Sequence, residues 1–428
     1  MKVLWITNMI LPKVAKELNL KTSVSGGWLS DYAEKLAAHD DVSFATMTYA
    51  SVEKDMDVEA CGIRNFIFAG GGKRLLFDSK RTLQDCEKVL RAFQPDIIHI
   101  HGTEYSMGYA MLKVNEKYDI PVLLTIQGIL TRISEEYYAG LSFGQILKMG
   151  SIKEWLKFKT PFFAKKLFLR NAKRERNVLN NVKYVTGRTT WDKAVMLSIN
   201  PELSYYRFNY NLRDEFYSAP KWSADEMNPH TIYAGASSYP LKGLHILIDA
   251  LTILKKKYPD VRLLVPGGNA KDGNLQNING YQAYILKKIH ENGLDENVYF
   301  LGGKSAKEVT DILGQSNVCV VTSAMEGASA TICEAMVIGT PCVCTYRGGM
   351  TDLLHDGETG FYYDFPEYGV LAERISSLFD DVELCKKFSA GAMADAQKRH
   401  DREKNFSQLI DIYNDVIQKE KENATSQI

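Results

Sequence analysis

Twice along this chain, short apolar runs rich in β-branched residues alternate with longer amphipathic segments, and few folds accept that pattern. In the first half, Lys2 to Asn8, Asp41 to Thr48, Asp96 to His101, Pro121 to Gln127 and Val182 to Thr189 read as strands. Trp28 to Ala38, Arg81 to Phe93 and Tyr105 to Tyr118 read as helices between them. In the second half the strands are Thr231 to Ala236, Val261 to Pro266, Val298 to Leu301 and Asn317 to Thr322. Their helices are Leu244 to Lys257, Tyr281 to Asn292 and Lys307 to Gly314. Such alternation predicts parallel sheets wound on both faces by helices. A chain of 428 residues can bury two such cores. The expected fold class is α/β: two doubly wound, Rossmann-like domains facing a central cleft. The boundary is placed at 215/216, with the polar stretch Tyr217 to Asn228 as linker.

Composition removes several function classes. Lys plus Arg equals Asp plus Glu, at 52 each, so overall charge argues against a nucleic-acid partner. The seven cysteines show no CxxC spacing, which suits reduced thiols in cytoplasm. The start MKVLWITNMILP is too soon interrupted for a signal peptide, and no apolar run has the length of a membrane span. A cytoplasmic protein is expected. GxGxxG is absent after the first strand, against a nicotinamide dehydrogenase. Asp55-Met56-Asp57 is a DxD, read as a solvated loop and not as a metal site.

One stretch breaks the charge balance. Gln145 to Arg176 carries ten Lys or Arg against two Glu, interleaved with Trp155, Phe158, Phe162, Phe163 and Phe168. A basic aromatic helix can lie on an anionic membrane surface. Two core-packed helices with a basic solvated rim would give the same pattern. Membrane contact through 148–176, peripheral at the inner face of the cell membrane, is therefore one expectation.

The chemistry concentrates in Asn317 to Gly349. A buried strand leads into a small-residue loop bearing Glu326. Ser329 can cap a helix that carries Glu334 one turn in, and Gly339 and Pro341 stop it. Ala328, Ser329, Ala330 and Thr331 would offer free amides at a positive helix end, which suits a phosphate. The two acids could take sugar hydroxyls on either side. Upstream, Lys242 precedes Gly243 at another helix start and can neutralise a diphosphate leaving group without a metal. Gly26-Gly27, ahead of the first helix, can form a backbone nest for an anion. His101 and Gln127 fall at strand ends, where ligands of such sheets bind.

Glu326, Glu334, Ala335, Met336, Gly339, Pro341, Gly348 and Gly349 together resemble the signature of the retaining glycosyltransferases of family 4. The resemblance implies the GT-B fold, with 1–215 taking the acceptor, 216–400 the nucleotide sugar, and 401–428 a helix crossing back to the first domain. It implies that Glu326 supports charge at the anomeric carbon and that Glu334 binds the ribose hydroxyls. Lys242, Gly243 and residues 328–331 would bind the donor phosphates, and Gly27 would approach donor phosphates or sugar. Gly26 and Gln127 fall on the acceptor side, and His101 takes a proton-handling role. Two positions depart from the pattern: Gly235-Ala236-Ser237 stands where an arginine is usual, and Gln127 where a histidine is.

The function expected is transfer of a hexose from a UDP- or GDP-sugar, without metal or other cofactor, to a saccharide acceptor. The acceptor implied is lipid-linked, as in surface polysaccharide synthesis. The alternatives are a nucleotide-sugar 2-epimerase of the same fold, a catalytically silent partner of a transferase, and a membrane-surface adaptor.

Overall fold

The computed structural model describes residues 1–21, 27–70, 79–235, 238–268, 270–271 and 274–426. They divide into two compact units. One is Met1–Thr131, Arg170–Arg213 and His400–Ile428; the other is Arg132–Leu169 and Asp214–Arg399.

The first unit holds β1 (Lys2–Ile6), β2 (Ser43–Ala50), β3 (Met56–Ala60), β4 (Ile63–Ala69), β5 (Ile97–His101), β6 (Val122–Thr125), β7 (Tyr184–Gly187) and β8 (Ser204–Arg207). They form one sheet in the order β3-β4-β2-β1-β5-β6-β7-β8. Only β3 runs antiparallel to its neighbour. Strand β1 pairs with β2 on one side and β5 on the other, so the winding reverses there. Alternate residues of β1 serve opposite faces: Leu4 and Ile6 enter one apolar cluster, Val3 and Trp5 the other. The second cluster is closed by the Arg402–Ser426 helix, through Leu409, Ile412, Tyr413 and Val416. The Tyr413 hydroxyl accepts from Trp5 Nε1 at 2.8 Å and bonds His99 Nδ1 at 2.7 Å.

The second unit holds β9 (Asn228–Ala234), β10 (Arg262–Pro266), a small hairpin of β11 (Ala270–Lys271) and β12 (Asn274–Leu275), then β13 (Val298–Gly302), β14 (Ser316–Val321), β15 (Cys342–Thr345) and β16 (Phe361–Tyr363). Its main sheet runs β13-β10-β9-β14-β15-β16, parallel throughout. Here the winding reverses at β9. The Ala330–Ile338 helix follows β14 and is apolar nearly all round, because it packs against β14, β15 and the Val382–Arg399 helix.

Three expectations change. Residues 132–169, assigned by sequence to the first domain, group with the second unit. Specific contacts hold them: His245 Nε2 meets the Ala139 carbonyl at 2.9 Å, and Gly280 N donates to Glu154 Oε1 at 3.1 Å. The stretch expected as a polar linker is packed into the second unit, since Phe216 and Trp222 are buried and Trp222 Nε1 donates to the Ser316 carbonyl at 2.8 Å. The DxD is only partly loop. Asp55 precedes edge strand β3 and faces Arg81 at 3.1 Å, whereas Met56 and Asp57 begin the strand and Asp57 accepts from Arg64 Nε and Nη2 at 3.0 Å.

Candidate functional site

Strand β14 ends at Val321 and the chain turns through a loop before Ser329 caps the Ala330–Ile338 helix, its hydroxyl accepting from Ile332 N at 3.5 Å. The turn brings Glu326 to Lys242: Lys242 Nζ donates to Glu326 Oε1, and Ser323 Oγ holds the same oxygen at 2.9 Å. Lys242 closes a short turn, Pro240–Lys242, that runs through Gly243 into the Leu244–Lys257 helix. Gly243 has φ +67°, and a Cβ there would run into the Thr322 carbonyl. Only glycine lets this turn approach the chain just past β14 so closely. Gly348, at φ +61°, plays the same part on the other side, and Gly349 N donates to the Glu326 carbonyl at 2.9 Å.

Gly235, Lys242, Val321 to Ser323, Glu326 and Ala328 to Thr331 line a cavity of about 240 Å³. That is smaller than the roughly 300–1,000 Å³ of pockets that enclose a whole ligand. It suits a phosphate and part of a sugar. Burial pulls the Lys242 ammonium pKa down, but Glu326 and Tyr239 more than offset this, so the net shift is upward. The lysine is therefore a fixed cation. First-turn amides of the helix supply further donors. Glu334 lies half-buried one turn along the helix, beyond the cavity lining. Ala236 and Ser237, where the usual arginine is replaced, lie outside the described residues, as does Gly26; Gly27 opens the Gly27–Ala37 helix.

The first unit has its own polar cluster beyond β5, β6 and β7. His101 is 5% exposed, and among the described residues both its ring nitrogens lack a hydrogen-bond partner. Its ring is wedged against Trp5 at 4.4 Å, His99 at 3.9 Å and Trp28 at 5.8 Å. Burial lowers its pKa to about 3, so the imidazole is neutral. Gln127 Nε2, Glu104 Oε2 and Arg188 Nε are likewise buried without hydrogen-bond partners among the described residues. Arg188 Nη2 donates to the Gln127 carbonyl at 3.0 Å, and its guanidinium stacks 4.6 Å over Tyr210. Burial pushes the Glu104 carboxyl up to about 7. Buried donors and acceptors of both kinds are thus available to the polar groups of a ligand. Sequence reasoning missed Glu104 and Arg188. The signal was available: both follow strand ends closely, in His101-Gly102-Thr103-Glu104 and Gly187-Arg188.

Among the described residues, no group of three or more His, Cys, Asp or Glu is placed to hold a metal.

Two parallel, doubly wound units of this kind make a GT-B fold. Residues 217–395 match the family model described as "Glycosyl transferases group 1". The putative glycosyltransferase EpsD of Bacillus subtilis is 28% identical over 178 residues, 41% of this chain and 43% of EpsD. The chain thus spans well under half the length of that curated relative. Sucrose-phosphate synthase from Thermosynechococcus elongatus has the same fold, with a TM-score of 0.73 at 16% identity, covering 97% of this chain and 98% of that one. Anabaena HepE, solved in complex with UDP and glucose, gives a TM-score of 0.68 at 20% identity over 97% of this chain and 99% of that one.

Proposed function

We propose that this chain is a retaining glycosyltransferase that moves a hexose from a UDP- or GDP-sugar to a saccharide acceptor. The observation that carries the reading is the Lys242–Glu326 pair beside the capped mouth of the Ala330–Ile338 helix. Without ligand, the acid and the base neutralise each other. An arriving diphosphate competes for Lys242 and for the helix amides, and Glu326 is released toward the sugar. The bond between the anomeric carbon and the diphosphate oxygen then breaks, with Lys242 and the amides stabilising the departing charge. The acceptor hydroxyl bonds to that carbon on the same face, and its proton passes to the departing phosphate. Glu326 supports positive charge at the anomeric carbon, and Glu334 takes the ribose hydroxyls. No metal is assigned to these steps. On the first unit, the neutral His101 with Gln127 and Glu104 would take acceptor hydroxyls. HepE's complex with UDP and glucose supports a UDP-linked donor. The lipid-linked acceptor and the role in surface polysaccharide synthesis extend the same reading.

A thermal-shift panel of UDP-, GDP- and ADP-sugars tests donor binding, since a ligand at 100 times its Kd adds about 2.7 kcal/mol. The anomeric configuration of the product, read by NMR, tests retention. No shift with any sugar nucleotide would end the reading. An epimer formed without acceptor would replace it with a 2-epimerase, and binding with neither hydrolysis nor transfer with a silent partner.

A further inference from the structure

The second unit carries a second, larger cavity of about 1120 Å³, formed where residues 145–159 lie against the Gly280–Glu291 helix. Six lysines line it: Lys148, Lys153, Lys157 and Lys159 on one wall, Lys287 and Lys288 on the other. Lys288 is paired with Asp249 at 2.7 Å and Lys287 with Glu291 at 3.6 Å. The first four have no acidic partner among the described residues. The cavity's Glu154 is already engaged, by Ser151 N at 2.8 Å and Gly280 N at 3.1 Å.

Beside this basic hollow stand three large apolar side chains that no described residue covers. Ile152 is 81% exposed, Leu156 75% and Phe158 69%. Ile152 and Leu156 are four apart on the Ile152–Leu156 helix, so they share a face. Phe158 has φ +55°, a conformation unfavourable for a bulky residue, and its ring packs edge-on against Phe163 at 4.7 Å. Trp155 braces the Phe163 ring at 5.6 Å. The apolar tip is thus held outward on a rigid aromatic base. Fixed apolar side chains flanked by unpaired cations match one environment: the boundary between acyl chains and anionic headgroups.

We propose that residues 145–159, with Lys287 and Lys288, dock on an anionic lipid bilayer: Ile152, Leu156 and Phe158 enter the acyl boundary, and the lysine hollow takes lipid phosphates. This narrows the basic stretch suggested by sequence. Residues 170–176 group with the first unit, and their Glu175 is buried, accepting from Thr131 N and Leu130 N at 2.9 Å. Among the described residues no helix is long and apolar enough to cross a membrane, so the attachment argued here is to the surface.

Flotation of the full chain with phosphatidylcholine vesicles, with and without phosphatidylglycerol, tests this. Binding is expected only with phosphatidylglycerol, and salt should weaken it. Lys153→Gln and Lys157→Gln should each lower the partition constant about fivefold. Leu156→Ser should lower it roughly tenfold or more while leaving charge unchanged. Equal binding to neutral vesicles, or none to anionic ones, would overturn the proposal. So would charge variants that fail while Leu156→Ser binds normally, since a soluble anion would then be the ligand. The donor-induced thermal shift, measured on each variant, reports folding and keeps the two readings apart. Flotation without any donor shift would leave this surface standing and remove the transferase.

Discussion

At the scale of single residues, the candidate site is defined by competition for one cation. Lys242 is held by Glu326, whose Oε1 also accepts from Ser323 Oγ. Removing the acid should therefore separate binding from turnover. Glu326→Gln is expected to leave the Kd of UDP unchanged or tighter, because the lysine no longer has to be released, while kcat falls by about two decades or more, in line with loss of one electrostatic stabiliser. Isothermal titration beside steady-state kinetics checks the split, and parallel losses in both would contradict it. Glu334→Ala should act in the opposite sense. A charge-assisted hydrogen bond to the donor is worth roughly 1.5–3 kcal/mol, so donor Kd should rise by one to two decades with a smaller effect on kcat.

Among the elements, residues 132–169 are the ones whose place depends most on tertiary contacts. Their attachment runs through a backbone-to-backbone approach: a Cβ on Gly280 would strike the backbone of Gly150 and lie 2.9 Å from the Met149 carbonyl carbon. Gly280→Ala should cost about 1–3 kcal/mol and loosen the segment. Limited proteolysis should then cut between 140 and 160 sooner than in the parent chain; an unchanged digestion pattern would show that the approach is dispensable. Nothing in local sequence announces such a contact, which is why the detour of 132–169 was not legible. Strands β3 and β4 were missed for a related reason. Their turn is Cys61-Gly62, both at positive φ, where Asn-Gly or Asp-Gly would have been the readable sign. The alternating acids of Met56 to Ala60 also look like a loop until Arg64 is seen to pair with one of them. Strands with continuous apolar runs, such as β1, β5 and β14, were legible because burial on both faces leaves few other compositions. The Glu326 loop was legible through its small residues, whereas its ion pair with Lys242 depended on β9 and β14 being neighbours.

For the molecule as a whole, buried imidazoles set the response to acid. Burial lowers His101 to about 3 and His245 to about 4 from an ordinary 6.5. In the unfolded chain both take up protons below 6.5; in the folded chain they do so only at the lower values. Their contribution is complete above 6.5 and is lost as pH falls toward 4 and then 3. Glu104, raised to about 7 from 4.5, works the other way: its contribution is complete below 4.5 and fades as pH climbs to 7. Burial lowers His99 as well and raises Glu175; between 6.5 and 4.5 the three histidines outnumber the two acids, so stability should fall with acid there. Urea midpoints across that interval measure the slope, and a flat profile would mean that these imidazoles are charged or exposed. Tyr413→Phe gives a second measure. It strands Trp5 Nε1 and His99 Nδ1 inside the core, which should cost about 1–3 kcal/mol in the same titration.

The Arg402–Ser426 helix has a consequence for how the chain is made. Trp5 leaves the ribosome long before the tyrosine that satisfies its indole, which follows 408 positions later, after the whole 214–399 block. Domains tend to fold as they emerge, first come first served. Here the earlier half must wait with one flank uncovered while the later half finishes before it. A nascent polypeptide arrested short of residue 402 should therefore be the form that chaperones hold.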